Sequence, residues 1–402
     1  MSVTAARGFR AAGVAAGLKS NGASDVALVV NDGPVSAAAG VFTANRVQAA
    51  PVRWSRQVLR AGALRAVVLN SGGANACTGP GGFQDAHATA EHVAATLSKS
   101  AGPAGSGARV EVGAGEIAVC STGLIGVRLP MGNLLAGVER AVAGLSGEGG
   151  SAAAEAIMTT DTRPKITVVD RTAPPGGAGW RVGGMAKGAG MLSPAMATML
   201  CVLTTDAVVD AATCDAALRA ACRVTFDRID SDGCLSTNDT VLLLASGASG
   251  VTPEPTELTT AVTAACADLA RQLIADAEGA TKEIAIEVTG AAGEADAVEV
   301  GRAVARNNLV KTAVFGNDPN WGRILAAVGT THAAFDPDQL DVAINDVWIC
   351  RDGAAAASRD QVDLTGRQVH IRIDLHAGGD AATIWTNDLS HAYVHENSAY
   401  ST

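Results

Sequence analysis

The stretch of this sequence richest in possible chemistry runs Lys187-Gly-Ala-Gly-Met-Leu-Ser-Pro-Ala-Met-Ala197-Thr198-Met-Leu-Cys201. Its glycines allow close backbone approach, and Pro194 helps fix the path. Small Ala197 then precedes a hydroxyl residue that opens an apolar strand, so the spacing places the Thr198 hydroxyl at a strand start. The plainer reading of the same residues makes Met191, Met196, Met199 and Leu200 core filler and Thr198 a satisfied strand threonine. Periodicity alone does not decide between them. Two glycine patterns point to nucleotides only superficially. Gly113 to Ala118 matches G-x-G-x-x-A with Glu139 some way on, but the following IAVCSTGLIG is β-branched and turn-forming where a helix must open. In GGMAKGAG at 183–190, Lys187 precedes Gly188, and no Ser or Thr follows as a phosphate loop requires. Eight cysteines without a C-x-x-C pair and seven dispersed histidines, among them His87, His92, His391 and His395, give no metal-ligand frame. Most of the cysteines read as small buried apolar residues.

The elements that must position these residues alternate between two periods, which gives an α/β or α+β protein. Strands are expected at 26–30, 66–69, 200–203, 241–244, 284–288 and 369–375. In the last, Val369, Ile371, Ile373 and Leu375 alternate with polar residues, as a sheet with one wet face requires. Helices are expected at 85–97, 133–145 and 257–277, the third carrying Leu258, Val262, Leu269 and Leu273 on one stripe. Gly-rich stretches at 100–108, 146–151 and 173–179 read as surface connections rather than linkers. A length of 402 residues suggests two or three compact units at roughly 150 residues each. Thirty Lys+Arg against 40 Asp+Glu leave a net charge of −10, which argues against a phosphate-tracking nucleic-acid binder. No apolar run approaches the roughly 20 residues of a membrane span. The N-terminus lacks the apolar core of a secretory signal, so the expected compartment is the cytoplasm.

Eight motifs, in order along nearly the whole chain, resemble one family. They are GFRAAGVAAGLK (8–19), AAGVFTANRVQAAPV (38–52), NSGGANACTG (70–79), CSTGLIG (120–126), MTTDTRPK (158–165), STNDT (236–240), GNDPNWGRI (316–324) and the C-terminal DLSHAYVHENSAYST. The chain is similar to the ornithine acetyltransferase family, also called the glutamate N-acetyltransferase or ArgJ family, and KGAGMLSPAMATML looks like that family's self-cleavage site.

The resemblance implies an α/β fold of the N-terminal-nucleophile type, with sheets packed against helices as in DmpA and ArgJ. It implies cleavage between Ala197 and Thr198 into an alpha chain, 1–197, and a beta chain, 198–402, assembled as an α2β2 heterotetramer. The activity implied is ping-pong transfer of acetyl from N2-acetyl-L-ornithine to L-glutamate through acetyl-Thr198, in arginine biosynthesis. No cofactor and no metal is implied; acetyl-CoA is a possible second acetyl donor. Thr122 and Gly123 are implied as oxyanion donors, and their tight bend in an apolar segment suits inward-turned donors. Thr160, Lys187, Thr198, Glu278, Asn397 and Thr402 are implied as substrate-binding residues. Lys187 would pair the α-carboxylate and Glu278 the ornithine ammonium. Without the resemblance, Glu278 reads as a solvated helix-end carboxylate, and Asn397 and Thr402 as tail. Asp318 and Arg323 in GNDPNWGR receive a structural or site-supporting role. A related aminopeptidase or amidohydrolase, with water as acceptor, is the main alternative, and a non-catalytic or dinucleotide-binding protein is the third.

Overall fold

The computed structural model describes residues 2–100, 111–172, 179–192 and 199–399. Ala197, Thr198 and Thr402 therefore lie outside the described residues. Three sheets organise the described chain. A four-stranded sheet has the order Phe9–Val14, Val26–Asn31, Ala66–Asn70, Ile117–Ser121. A five-stranded sheet runs Ala38–Phe42, Thr240–Ala245, Leu200–Thr205, Trp180–Lys187, Lys165–Arg171. A six-stranded sheet of the C-terminal half is built around Gln368–Asp374, Glu283–Ala291 and Asp380–Asn387.

The five-stranded sheet is buried on both faces, and the residue pattern of Leu200–Thr205 shows why. Leu200 and Val202 join a core shared with the four-stranded sheet, while Cys201 and Leu203 join a second core under helices Ala211–Val224 and Pro255–Ala275. Four consecutive apolar residues, Leu200 to Leu203, point alternately to the two faces, so this strand sits between two layers. Helices Gly79–Lys99 and Met131–Ala143 pack against the four-stranded sheet. The six-stranded sheet has its own core with helices Glu294–Ala305, Asn308–Phe315 and Trp321–Val328.

All six expected strands and three expected helices are present, with the helix stripe Leu258, Val262, Leu269, Leu273 fully buried. Three differences have physical causes. The connection at 146–151 is already helical from Gly150, because Gly149 and Gly150 let that helix close on the N-terminal strand. A Cβ on Gly149 would lie 1.8 Å from the Ala11 carbonyl oxygen. The glycine-rich run 183–190 is strand as far as Lys187. There Gly183 admits the N-terminal segment, since a Cβ would lie 2.3 Å from the Ser2 carbonyl oxygen. Met191 is not core: it is exposed and has φ 54°. Of the eight cysteines, Cys77 and Cys234 are exposed and the other six buried. Within Gly113–Ala118 a single 3-10 turn, Ala114–Glu116, runs straight into strand Ile117–Ser121, so no α-helix opens there.

The expected boundary at 197/198 does not separate two bodies in space. Trp180–Lys187 and Leu200–Thr205, one from each side of it, are paired neighbours in the central sheet.

Candidate functional site

Strand register brings several charged and polar residues to one edge of the five-stranded sheet. Lys187 pairs with Leu200, Leu200 with Thr240, and Ala186 with Lys165. Lys187 therefore ends its strand where the strand following Thr198 begins. At this edge its side chain is almost fully buried, and its ammonium donates to the Thr122 hydroxyl oxygen at 3.3 Å.

Thr122 arrives from the four-stranded sheet, directly after strand Ile117–Ser121. Its N–H donates to Asn70 O at 2.9 Å, and its own carbonyl accepts from Gly73 N at 3.0 Å. Gly123 has φ 124°, and a Cβ there would lie 2.8 Å from Gly73 N, so no side chain fits this bend. The loop 236–240 braces it: the Asn238 amide donates to Ala74 O at 2.6 Å and to Ser121 O at 2.8 Å. Beside it, fully buried Asp239 accepts the Met199 N–H at 2.9 Å, while its second oxygen has no hydrogen-bond partner among the described residues. Burial pushes its carboxyl well above the usual range, against the pull of the Met199 N–H, the Ser236 hydroxyl and Lys187.

The segment after Lys187 turns toward a second group. Glu278 donates its N–H to Ala189 O at 2.9 Å, and its carboxylate lies over Gly190, where a Cβ would come within 2.5 Å of it. The Asn397 amide donates to Glu278 Oε2 at 3.0 Å. Asn397 is carried by helix His391–Ala399, which can approach because Gly279 has no Cβ to meet Tyr393 N. Thr160, Glu278 and Asn397 line one cavity of about 670 Å³, with Asp276, Arg367 and His395. A half-buried Glu278 hydrogen-bonded to a helical Asn397 replaces the solvated carboxylate and loose tail of the plainer reading.

Lys187 feels both groups. Burial lowers its pKa; Asp161, Asp239 and Glu278 oppose that shift and Lys165 adds to it. Asp161 is pushed up by burial but held below the usual carboxylate range by Lys187, Lys165 and the Gly188 N–H. Thr122, Gly123 and Lys187 thus form one cluster and Thr160, Glu278 and Asn397 another, joined through Asp161 and the 188–190 segment. Asp318 and Arg323 belong elsewhere: the Arg323 guanidinium donates to Leu309 O at 2.7 Å, tying two helices of the C-terminal half.

Sequence reasoning gave no role to Asp161, Lys165, Asn238, Asp239 or Asp276. The first four lie inside the motifs MTTDTRPK and STNDT, and the Asp161-x-x-x-Lys165 spacing is the one signal the sequence carries for the first pair. The chemical capacity of the edge is specific. An ammonium that donates to the Thr122 oxygen leaves that hydroxyl's proton to be donated elsewhere, beside a glycine N–H in a fixed bend. Such donors suit an oxygen that gains negative charge.

The ArgJ family model matches residues 10–402. The arginine biosynthesis bifunctional protein ArgJ of Streptomyces avermitilis is 66% identical over 401 residues, covering 100% of both chains. That of Thermobifida fusca is 61% identical over 402 residues, again covering 100% of both. A solved structure of ornithine acetyltransferase complexed with ornithine, from Mycobacterium tuberculosis, is 62% identical over 48% of this chain and 94% of its own, with a TM-score of 0.44.

Proposed function

The chain belongs to the ArgJ family, and from that premise we propose that it transfers acetyl from N2-acetyl-L-ornithine to L-glutamate in arginine biosynthesis, after cutting itself between Ala197 and Thr198. The observation that carries the reading is the contact of Lys187 with Thr122 at the sheet edge where residue 199 begins.

Cleavage leaves Thr198 with both a hydroxyl and a free α-amine. The amine, with an ordinary pKa of about 7.7 to 8.0, accepts the hydroxyl proton as Thr198 Oγ attacks the acetyl carbonyl carbon. Negative charge on the acetyl oxygen is met by the Thr122 hydroxyl and the Gly123 N–H. The amide C–N bond then breaks, the proton passes to the departing ornithine amine, and acetyl remains on Thr198 as an ester. The glutamate amine attacks that ester and leaves as N-acetylglutamate, so the cycle returns Thr198 without a cofactor.

Both substrates share an amino-acid head and differ in distal charge. Lys187 serves the head. Glu278, oriented by Asn397 at the cavity that also holds Thr160, serves the ornithine ammonium. Thr402 completes the substrate contacts in this reading. The relatives are named bifunctional, and acetyl-CoA as an alternative acetyl donor accounts for a second activity. The alpha and beta chains share one sheet, so they stay together after cleavage, and an α2β2 assembly in the cytoplasm fits the reading.

The deciding assay is consumption of N2-acetylornithine with and without glutamate. Transfer requires glutamate-dependent turnover with stoichiometric N-acetylglutamate. Equal consumption without glutamate, with release of acetate, identifies an amidohydrolase instead.

A further inference from the structure

Three buried charged side chains meet beside Lys187 in an arrangement the transfer steps do not use. The Asp161 side chain, fully enclosed, gathers three partners: Oδ2 accepts the Thr159 N–H at 2.9 Å, and Oδ1 accepts the Gly188 N–H at 2.7 Å and the Lys165 ammonium at 2.5 Å. Lys165, equally enclosed, also pairs with Asp276, which accepts the Thr162 N–H at 3.0 Å. The trio thus ties together the segments carrying Thr160, Lys187 and Glu278.

We propose that Asp161 is the positioning residue of Lys187: it fixes the backbone at Gly188 and supplies the counter-charge that keeps the buried Lys187 ammonium positive, while Lys165 draws on the same carboxylate and limits that support. The inference deepens the acetyl-transfer reading and rests on it for its kinetic readout. A buried ion triad alone is weak evidence of anything but architecture. Its address distinguishes this one, since the carboxylate that holds Lys165 also holds the residue next to Lys187. The charged groups facing Lys187 are Asp161, Asp239, Glu278, Lys165 and Lys19. Burial keeps Asp239 protonated well above the usual carboxylate range, and Glu278 faces an open cavity where water screens it. Asp161, held below that range, is the enclosed carboxylate charged at neutral pH.

The test is the alkaline limb of kcat/KM for the acetylornithine half-reaction, measured on the full processed protein. The same titration is followed without turnover through the isotope-labelled Lys187 Cε resonance. Asp161→Asn keeps the shape and removes the charge, so the limb and the resonance midpoint move to lower pH, by about 1 to 3 units. Lys165→Met removes the competing ammonium and moves both to higher pH, and Lys165→Arg returns them to the wild-type position. Opposite shifts are the signature of the proposal. Shifts in one direction, or activity losses with an unmoved midpoint, overturn it. Should Asp161→Asn not fold, the Lys165→Met and Lys165→Arg pair decides alone, by an upward shift and its reversal or by neither. A wild type without glutamate-dependent transfer defeats the functional reading, while the resonance still tests Asp161.

Discussion

Lys187 and Lys282 are both buried lysines at the ends of interior strands, yet their surroundings differ in kind. The Lys282 ammonium reaches three backbone carbonyls of one loop: Leu364 O at 2.5 Å, Thr365 O at 3.2 Å and Gly366 O at 2.9 Å. An ammonium has three protons, so these contacts consume its donor capacity and staple the loop to the strand beginning at Glu283. The Lys187 ammonium instead meets a side-chain hydroxyl and lies in the field of carboxylates from three separate segments. Carbonyl oxygens cannot change protonation or be displaced by a reactant at low cost, whereas hydroxyls and carboxylates take part in proton and acyl chemistry. The surroundings of a buried lysine, more than its burial, separate a staple from a working group.

The largest effects should fall on the Lys187 side. Thr122→Ala removes one of the two proposed oxyanion donors and should lower kcat of the processed enzyme about 10²- to 10³-fold, or about 2.7 to 4 kcal/mol. Lys187→Met should cost at least a comparable factor in kcat/KM, since it loses the substrate head as well as the Thr122 contact, and the part carried by that shared contact makes the double variant's loss smaller than the product of the two single losses. Multiplying losses in that cycle would break the link between them. Next, Glu278→Gln should weaken the acetylornithine half-reaction about 10- to 150-fold while leaving the glutamate half-reaction nearly unchanged, since only ornithine brings a cation to that carboxylate. Equal losses in separately measured half-reactions would move Glu278 from substrate binding to architecture. The smallest expected effect is that of Lys282→Met. Stranding the Leu364 carbonyl should cost about 1 to 3 kcal/mol of stability in denaturant titration, with kcat of the folded fraction retained. A collapse of kcat in a stable Lys282→Met protein would erase the contrast between the two lysines.

How far these two lysines can be told apart from sequence follows from where their partners lie. Periodicity was enough for strand Leu200–Thr205 and helix Pro255–Ala275, whose apolar positions are set by local geometry. It gives no strand over Trp180–Lys187, because glycines at 183 and 184 interrupt the apolar pattern, and the N-terminal segment lying against Gly183 is remote in sequence. The partners of Lys187 are remote in the chain: Thr122 is 65 residues away, and Lys165 meets Asp276 across 111 residues. No local pattern encodes such distances. Thr122, Lys187, Glu278 and Asn397 are singled out only by a family resemblance, and the structure places them in two adjoining clusters. Asp161 and Asp239 escaped notice because an aspartate in a short polar motif ordinarily reads as a turn residue. Only burial marks them as charges needing compensation.

Acetyl transfer by this route requires a defined resting place for the acetyl group between the two half-reactions. Intact-mass analysis of the purified protein, incubated with N2-acetylornithine and no glutamate, reads this directly. The expected result is two chains joining at Ala197/Thr198, with one acetyl group added to the chain that begins at Thr198 and lost again when glutamate is supplied. A fully active uncut chain, or acetyl found on any other residue, would contradict it.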